Sequence, residues 1–164
     1  MNFRIRIEGT PVAETRPRFR RTLKGIRTHP VRSTAESKAK VKKLAEEAMI
    51  GREKLRGPLE VHILAMFPCT KKRYRKKNPA LPRFKDTGPD IDNIAKHYLD
   101  GLLASGIVAD DDNQVVSLLA TKIELGQDTE PYTTVNIFEM FPERGDNPFE
   151  PIIRGALNRI AEVG

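Results

Sequence analysis

No tryptophan occurs in this chain of 164 residues, and cysteine occurs once, at Cys69. A single cysteine excludes an internal disulfide and points to a reducing, cytoplasmic setting. Its place just after a strand pattern suits a small apolar filler. No apolar run approaches the roughly 20 residues of a membrane span, and the N-terminus has no apolar signal-peptide core, so no membrane partner is expected. GxxxxGK[ST], GxGxxG, CxxC and HExxH are all missing, which leaves ATP, dinucleotide and zinc chemistry without support. Internal repeats and low-complexity tracts are missing too. Charge, by contrast, is plentiful: 31% of residues are charged against 38% apolar, with a net charge of +7. The length suits one domain, 1–164, with a real core. The excess of positive charge makes a polyanion the first expected partner.

That charge is sorted along the chain. Arg16 to Arg32 carries seven Lys and Arg residues and no acid, and Lys71 to Lys85 carries eight and no acid. Both lie in Pro-containing segments without clear periodicity, read as basic loops over 9–32 and 68–87. The rest of the chain has 29 − 15 = 14 basic and 22 acidic residues, a net −8. Positive charge is thus concentrated in two loops. Arg16, Arg18, Arg20 and Arg21 in the first, and Lys71, Lys72, Arg73, Arg75, Lys76 and Lys77 in the second, are the expected DNA-binding residues, drawing in phosphate and releasing counterions. Phe19, Tyr74 and Phe84 are interleaved with them and can stack on unpaired bases, or simply pack their loops.

Periodicity supplies the frame. Phe3, Ile5 and Ile7 alternate with Arg4, Arg6 and Glu8, the pattern of a strand with one wet face. Ser33 with Glu36 reads as a capping box opening a helix whose stripe is Val41, Leu44, Ala45, Ala48 and Met49. Leu59 to Phe67 is apolar on both faces, which places it inside a sheet. Gln114 to Leu125 reads as a strand with Val115, Leu119 and Ile123 on one side and Lys122 opposite. Tyr132 to Met140 is a last strand, expected to pair with it as a hairpin. Pro142 to Pro151 is an irregular linker, and Pro151 to Val163 a short helix, making 142–164 a C-terminal extension. His29 and His97 read as surface groups beside basic residues, and His62 as a packed or surface histidine. The fold class is α+β: a mixed β-sheet packed against helices, in the order β-α-β-α-β-β plus a C-terminal helix.

The stretch from Asp90 to Asp112 carries the chemistry. Asp90 stands at an N-cap position, and Ile91, Ile94, Ala95, Tyr98, Leu99, Leu102 and Leu103 follow at helical spacing up to Gly106. Asp92 lies in the first turn and Lys96 one turn beyond it. Asp110, Asp111 and Asp112 follow the helix. The helix ends are roughly 20 Å apart, so the two acidic groups meet only if the chain doubles back. Converging carboxylates need a cation, and their hard oxygens suit Mg²⁺ or Mn²⁺, ions that activate water for phosphodiester cleavage. Lys96 would oppose charge building on the phosphate. The plainer alternative is that Asp90 and Asp92 cap a helix, for about 1 kcal/mol each, and that the later aspartates form a solvated turn.

The segments PDIDNIAKHYLDGL and GIVADDDNQV closely resemble the RusA family of Holliday-junction resolvases. That pattern is Asp-x-Asp-Asn, a lysine three residues later, a helix ending near glycine, then Asp-Asp-x-Gln-Val. The resemblance implies a Mg²⁺-dependent endodeoxyribonuclease acting as a homodimer on four-way junctions in DNA recombination and repair. It implies Asp90, Asp92 and Asp112 as metal-binding carboxylates and Lys96 as the essential lysine. This chain has three aspartates where the pattern has two, so Asp111 competes with Asp112 as ligand and Asp110 reads as an insertion. Asn93 would orient a carboxylate or a water. Two readings compete: a non-catalytic nucleic-acid-binding module, and a nuclease acting on other branched DNA.

Overall fold

The computed structural model describes residues 2–15, 18–22, 25–29, 32–107 and 112–140. In chain order these form β1 (Asn2–Glu8), β2 (Arg18–Thr22), β3 (Gly25–His29), α1 (Arg32–Ala48), β4 (Leu59–Phe67), β5 (Arg83–Phe84), α2 (Ile91–Leu103), β6 (Val115–Glu124) and β7 (Tyr132–Glu139). Short 3-10 turns cover Lys71–Arg73 and Asp112–Gln114. Five strands form one mixed sheet in the order β1-β7-β4-β6-β5, with β4 and β6 parallel. The class is α+β, as the sequence implies.

Alternation explains the core. Phe3, Ile5 and Ile7 of β1 are buried on one face, as are Leu59, Val61, Ile63, Ala65 and Phe67 of β4. Both helices cover that face. Val41 and Ala45 of α1 and Ile94, Ala95, Tyr98 and Leu102 of α2 are buried in the same cluster, with Leu44, Ala48, Met49, Leu99 and Leu103 packed at its rim. Ile91, the first residue of the α2 stripe, is left 42% exposed. β4 lies between β7 and β6, inside the sheet as its two apolar faces require.

Four expectations change. First, the segment 9–32 is not all loop: β2 and β3 pair antiparallel as a separate ribbon, from Arg18↔His29 to Thr22↔Gly25. The element order therefore runs β-β-β-α before β4. Alternating arginines carry that ribbon, and without an apolar alternation it has no hydrophobic period to read. Second, β7 is not the hairpin partner of β6. It enters between β1 and β4, antiparallel to both. Thr133, Thr134 and Val135 are all buried, a demand that an interior position meets. Third, the partner of β4 jumps from Val115 at Leu59 to Ser117 at Glu60. The extra residue, Val116, is a bulge that flips the following side chains. Val115 packs on the core, whereas Leu119, expected on its face, points to the far side and is 54% exposed. Fourth, His97 is fully buried. The expected C-terminal helix lies outside the described residues.

α1 and α2 cross at Gly101. A Cβ built there would stand 2.9 Å from both Cβ and Cγ1 of Val41. Gly101→Ala raises helix propensity by about 1 kcal/mol, but overpacking of this kind costs roughly 1–3 kcal/mol. The variant should therefore melt below the wild type in a calorimetric scan; a higher Tm would show that the crossing has room to give.

Candidate active site

The approach to α2 is fixed from β6. Phe84 pairs with Ile123, and the backbone N–H of Lys85 donates to the carbonyl of Lys122 at 3.0 Å. The Lys122 ammonium donates to the carbonyls of Thr87, at 2.9 Å, and Pro89, at 2.8 Å. Asp90 then takes the N-cap position with φ −68° and ψ 144°, and its carbonyl accepts from Ile94 N–H at 3.2 Å. Its carboxylate, however, makes no capping hydrogen bond. Capping thus does not account for an aspartate at this position. Asp90, Asp92 and Lys96 are all exposed. Asp92 and Lys96 share an open cleft of about 370 Å³, walled by Ala95, Leu99 and Leu103 of α2 and by Leu118 of β6. Asp92 and Asp100 are the carboxylates of that cleft and Lys96 is its cation.

The second acidic group lies elsewhere in the chain. Asp111 and Asp110 lie outside the described residues, and Asp112 is described through its backbone, in the turn that enters β6. There Val115 pairs with Leu59, and Gln114 Nε2 donates to the Gly57 carbonyl at 3.2 Å. Lys122, which holds Pro89, is near the opposite end of β6. Seven strand residues at about 3.3 Å each separate these ends, so Asp112 and Asp90 are on the order of 20 Å apart within one chain. The expected doubling back falls on residues 108–111, which lie outside the described residues; Asp112 itself stands just before β6. Among the described residues no three His, Cys, Asp or Glu side chains gather around a possible ion.

The start of the first basic segment is anchored on α2, and the second is tied to the end of β6. In the first, Glu14 N–H donates to the Asn93 carbonyl at 2.8 Å, and Val12 N–H to the Tyr98 hydroxyl at 3.2 Å. Lys38 bridges the carboxylates of Glu14 and Asp100, at 2.7 Å each. His97 belongs to this anchor and not to the surface. Its Nε2 meets Ser37 Oγ at 2.9 Å, and its Nδ1 lies 3.6 Å from Glu14. Burial pushes the imidazole below its ordinary range, against the pull of Glu14.

The second segment is tied down by Glu124, whose side chain is 2% exposed. Thr70 N–H donates to it at 2.8 Å and Arg83 Nε at 2.9 Å, while Arg73 Nη1 approaches to 3.1 Å as an off-angle charge contact. Burial raises the Glu124 carboxyl, but the Thr70 and Arg83 hydrogen bonds and the Arg73 charge together outweigh it and hold the group at about 2. Arg73, expected on DNA, is thereby engaged inside the protein, and its Nη2 also donates to the Leu81 carbonyl at 2.7 Å. Lys71, Lys72, Arg75, Lys76 and Lys77 are exposed. Tyr74 and Phe84 do not pack their loop; they stand 45% and 77% exposed. Arg18, Arg20 and Arg21 are described only as backbone of β2, and Arg16 lies outside the described residues. His62 is packed, meeting Glu60 at 3.0 Å and tilting against Phe138.

Sequence reasoning missed Glu14, Lys38, Glu124 and the destination of Lys122. Signals existed for two of them: Glu14 is the acid immediately before one basic run, and Lys122 is a lone cation in an apolar strand.

An α+β protein with exposed carboxylates and a lysine at one helix end, flanked by two anchored basic segments, has the parts of a nuclease. The family comparison agrees: the model of endodeoxyribonuclease RusA matches residues 8–138, most of the chain. The chain belongs to the RusA family of endodeoxyribonucleases, the Holliday-junction-resolving kind, whose members are in general divalent-metal dependent. No curated protein matches it. Among the described residues no helix is long and apolar enough to cross a membrane.

Glu124 yields a pH signature. Its carboxyl is held below the ordinary value of 4.5. The stability it contributes is therefore full above about pH 4.5 and lost as pH falls through about 2. Glu124→Gln should lower unfolding free energy at pH 7, by on the order of 2–3 kcal/mol, and flatten the acid side of the profile. Denaturant titrations across pH 2–7 measure this; parallel wild-type and variant profiles would remove Glu124 from the anchor.

Proposed function

We propose that this protein is a Mg²⁺-dependent endonuclease, with Mn²⁺ as an alternative ion, that resolves four-way DNA junctions in recombination and repair as a homodimer. One observation carries the reading: Asp90 occupies an N-cap without capping, so its exposed carboxylate stays available beside Asp92 and Lys96. Hard carboxylate oxygens on an exposed helix end fit Mg²⁺, which keeps several waters and takes phosphate as a further ligand. When bound, the ion supplies an activated water and neutralises the leaving oxygen. Asp90 and Asp92 hold the ion. Lys96 holds its positive charge where the scissile phosphate gains negative charge. The Asn93 side chain orients a carboxylate or a water.

Two carboxylates make a thin ligand set, and Asp112 of the same chain is too far to complete it. A two-fold axis removes the difficulty. The outer edge of β6 has no strand partner from Val115 to Thr121 among the described residues. It carries exposed Val116, Leu118 and Leu119, at 59%, 44% and 54%. An apolar open edge is a template for pairing with another chain. Antiparallel pairing of β6 with its copy, about an axis at Leu119, sets Val116 of each chain opposite Lys122 of the other. The partner subunit's Asp112, or its Asp111, then arrives at the end of β6 where Asp90 and Asp92 stand. Two equivalent sites result, as symmetric cleavage of two strands requires.

Lys71, Lys72, Arg75, Lys76 and Lys77, with Arg16, Arg18, Arg20 and Arg21, bind the phosphate backbone. Arg73 is withdrawn from that role because Glu124 holds it. Exposed Phe84 and Tyr74 stack on bases that are unpaired at the branch point.

Mixed dimers test the composite site. Asp90→Asn and Asp112→Asn homodimers (with Asp111→Asn as the parallel case) should bind a labelled four-way junction but leave it uncut in Mg²⁺. Subunits of the two kinds mixed in one dimer regenerate one intact site and should nick one strand. Mixed dimers that stay inactive would place each site within a single chain, and an Asp90→Asn homodimer cutting at the wild-type rate would overturn the assignment. Replacing Lys71 and Lys72 by glutamine should weaken junction binding at every sequence and lower the slope of log K against log salt by about 2. An unchanged slope would take this turn off the DNA.

A further inference from the structure

We infer that Lys122 is a positioning residue for the metal-binding carboxylates, acting through the main chain and not through phosphate. The inference rests on the proposed nuclease site and adds to it a residue that holds Asp90 in place. Three contacts carry it. The Lys122 carbonyl accepts from Lys85 N–H at 3.0 Å, and its ammonium donates to the carbonyls of Thr87 at 2.9 Å and Pro89 at 2.8 Å. One strand residue thus fixes the six-residue approach to α2 at its start, its middle and the peptide just before Asp90.

The need for such a tie can be read from the chain. Residues 85–90 contain no helix, and their last strand pairing is Phe84 with Ile123. Asp86, Thr87, Gly88 and Asp90 are exposed, so packing does little to hold them. Asp90 itself makes no side-chain cap that would fix its backbone to the helix. Backbone carbonyls are the acceptors here, and an ammonium with three donors satisfies two of them at once. Lys122 lies on the core face of β6, beside Ala65 of β4, so the stem of the side chain is guided by the sheet towards α2. A ligand carboxylate displaced by about 1 Å is no longer a ligand at Mg²⁺ distances, which tolerate little deviation. Residues that orient metal ligands typically alter metal affinity 10–100-fold when removed.

The sequence offers another role for this cation, a contact to DNA phosphate. The two hydrogen bonds direct the ammonium inward to carbonyls and argue against it. The two roles differ in what they change. A tie sets metal affinity and leaves metal-free junction binding alone. A phosphate contact sets junction binding and its salt slope and leaves metal affinity alone.

The experiment uses the full-length dimer, with Lys122→Met and Lys122→Arg beside the wild type, each checked for folding by circular dichroism. Mn²⁺ binding is titrated by electron paramagnetic resonance, and junction binding by fluorescence anisotropy in EDTA across a salt series. Amide hydrogen exchange is followed over residues 87–93. Lys122→Met should bind Mn²⁺ about 10-fold more weakly, exchange faster at Asp90 to Asn93, and bind the junction in EDTA as the wild type does. Its cutting should return as Mn²⁺ is raised. Lys122→Arg, whose guanidinium can span two carbonyls, should stay within a few-fold of the wild type. Mn²⁺ affinity within two-fold of the wild type in Lys122→Met overturns the inference. So does weaker metal-free junction binding with a salt slope lower by about 1. If Lys122→Met fails to fold, Lys122→Gln takes its place with the same readouts and the same criteria. A wild-type dimer that binds no Mn²⁺ and cuts no junction refutes the nuclease reading itself, a result separable from a loss confined to the variant.

Discussion

The parallel pairing of β4 with β6 is the constraint on which the rest of the molecule depends. A parallel pair needs a crossover, and α2 is part of it, lying on the core face and joined to β6 through the segment before Asp112. Once β6 runs alongside β4, α2 must run against it. The N-terminus of the helix then lies over the C-terminal end of β6, and the acidic turn at Asp112 enters at the other end. The placing of the parts follows from this: the peptide before Asp90 held by Lys122, Lys96 beside Leu118, and about 20 Å of strand between the two acidic groups. Placing β7 on the far side of β4 leaves the outer edge of β6, among the described residues, bare apart from β5. The edge that completes the proposed site is therefore a product of the same pairing that divides the site within one chain.

Elements with a hydrophobic period were legible from the chain. The β1, β4, α1 and α2 stripes fall where Phe3, Val61, Val41 and Ile94 put them, because burial on one face is a local pattern. The β2–β3 ribbon was not legible, because arginine alternates there and arginine has no core to face. The place of β7 was not legible either: pairing with β1 and β4 instead of β6 is a choice between distant strands, which no window of residues contains. Val116 is a subtler case. One bulged residue reversed the face of everything after it, so a correct strand assignment gave a wrong inward side. The placing of Asp90, Asp92 and Lys96 together was legible because the cap and first turns of one helix carry all three at fixed spacing. Asp112 belongs to another element, and its distance from them depends on which way β6 runs. His97 misled for a related reason. Its flanking charges resemble a surface, yet its position on the helix points between α1 and α2, where Ser37 and Glu14 receive it.

The basic segments carry a further lesson about how charge is held near DNA. Free cationic loops would lose conformational entropy on binding, at roughly 1–2 kcal/mol per ordered residue, and would bind correspondingly less well. Both segments here are already fastened by single acids. Glu14 ties the first through Lys38 and the Asn93 carbonyl, and Glu124 ties the second through Thr70, Arg73 and Arg83. Each acid engages one or two cations within the protein. Arg73 shows this in one residue: Glu124 and the Leu81 carbonyl engage its guanidinium, and Lys71 and Lys72 stand in a defined turn beside it.

Two carboxylates per chain, an open apolar edge and anchored cations fit together as a control on cutting. A monomer with two ligand carboxylates holds a hard ion poorly, since a site with so few charges leaves most of the coordination to water. Completion of the ligand set by the partner subunit's Asp112 would make metal affinity depend on the dimer. Cutting would then be confined to the assembly that presents two sites to two strands. On the proposed reading, sequence-independent phosphate binding by the basic segments would hold either species on DNA. On this argument, selectivity for a branched substrate lies less in which groups touch DNA than in when the metal centre exists.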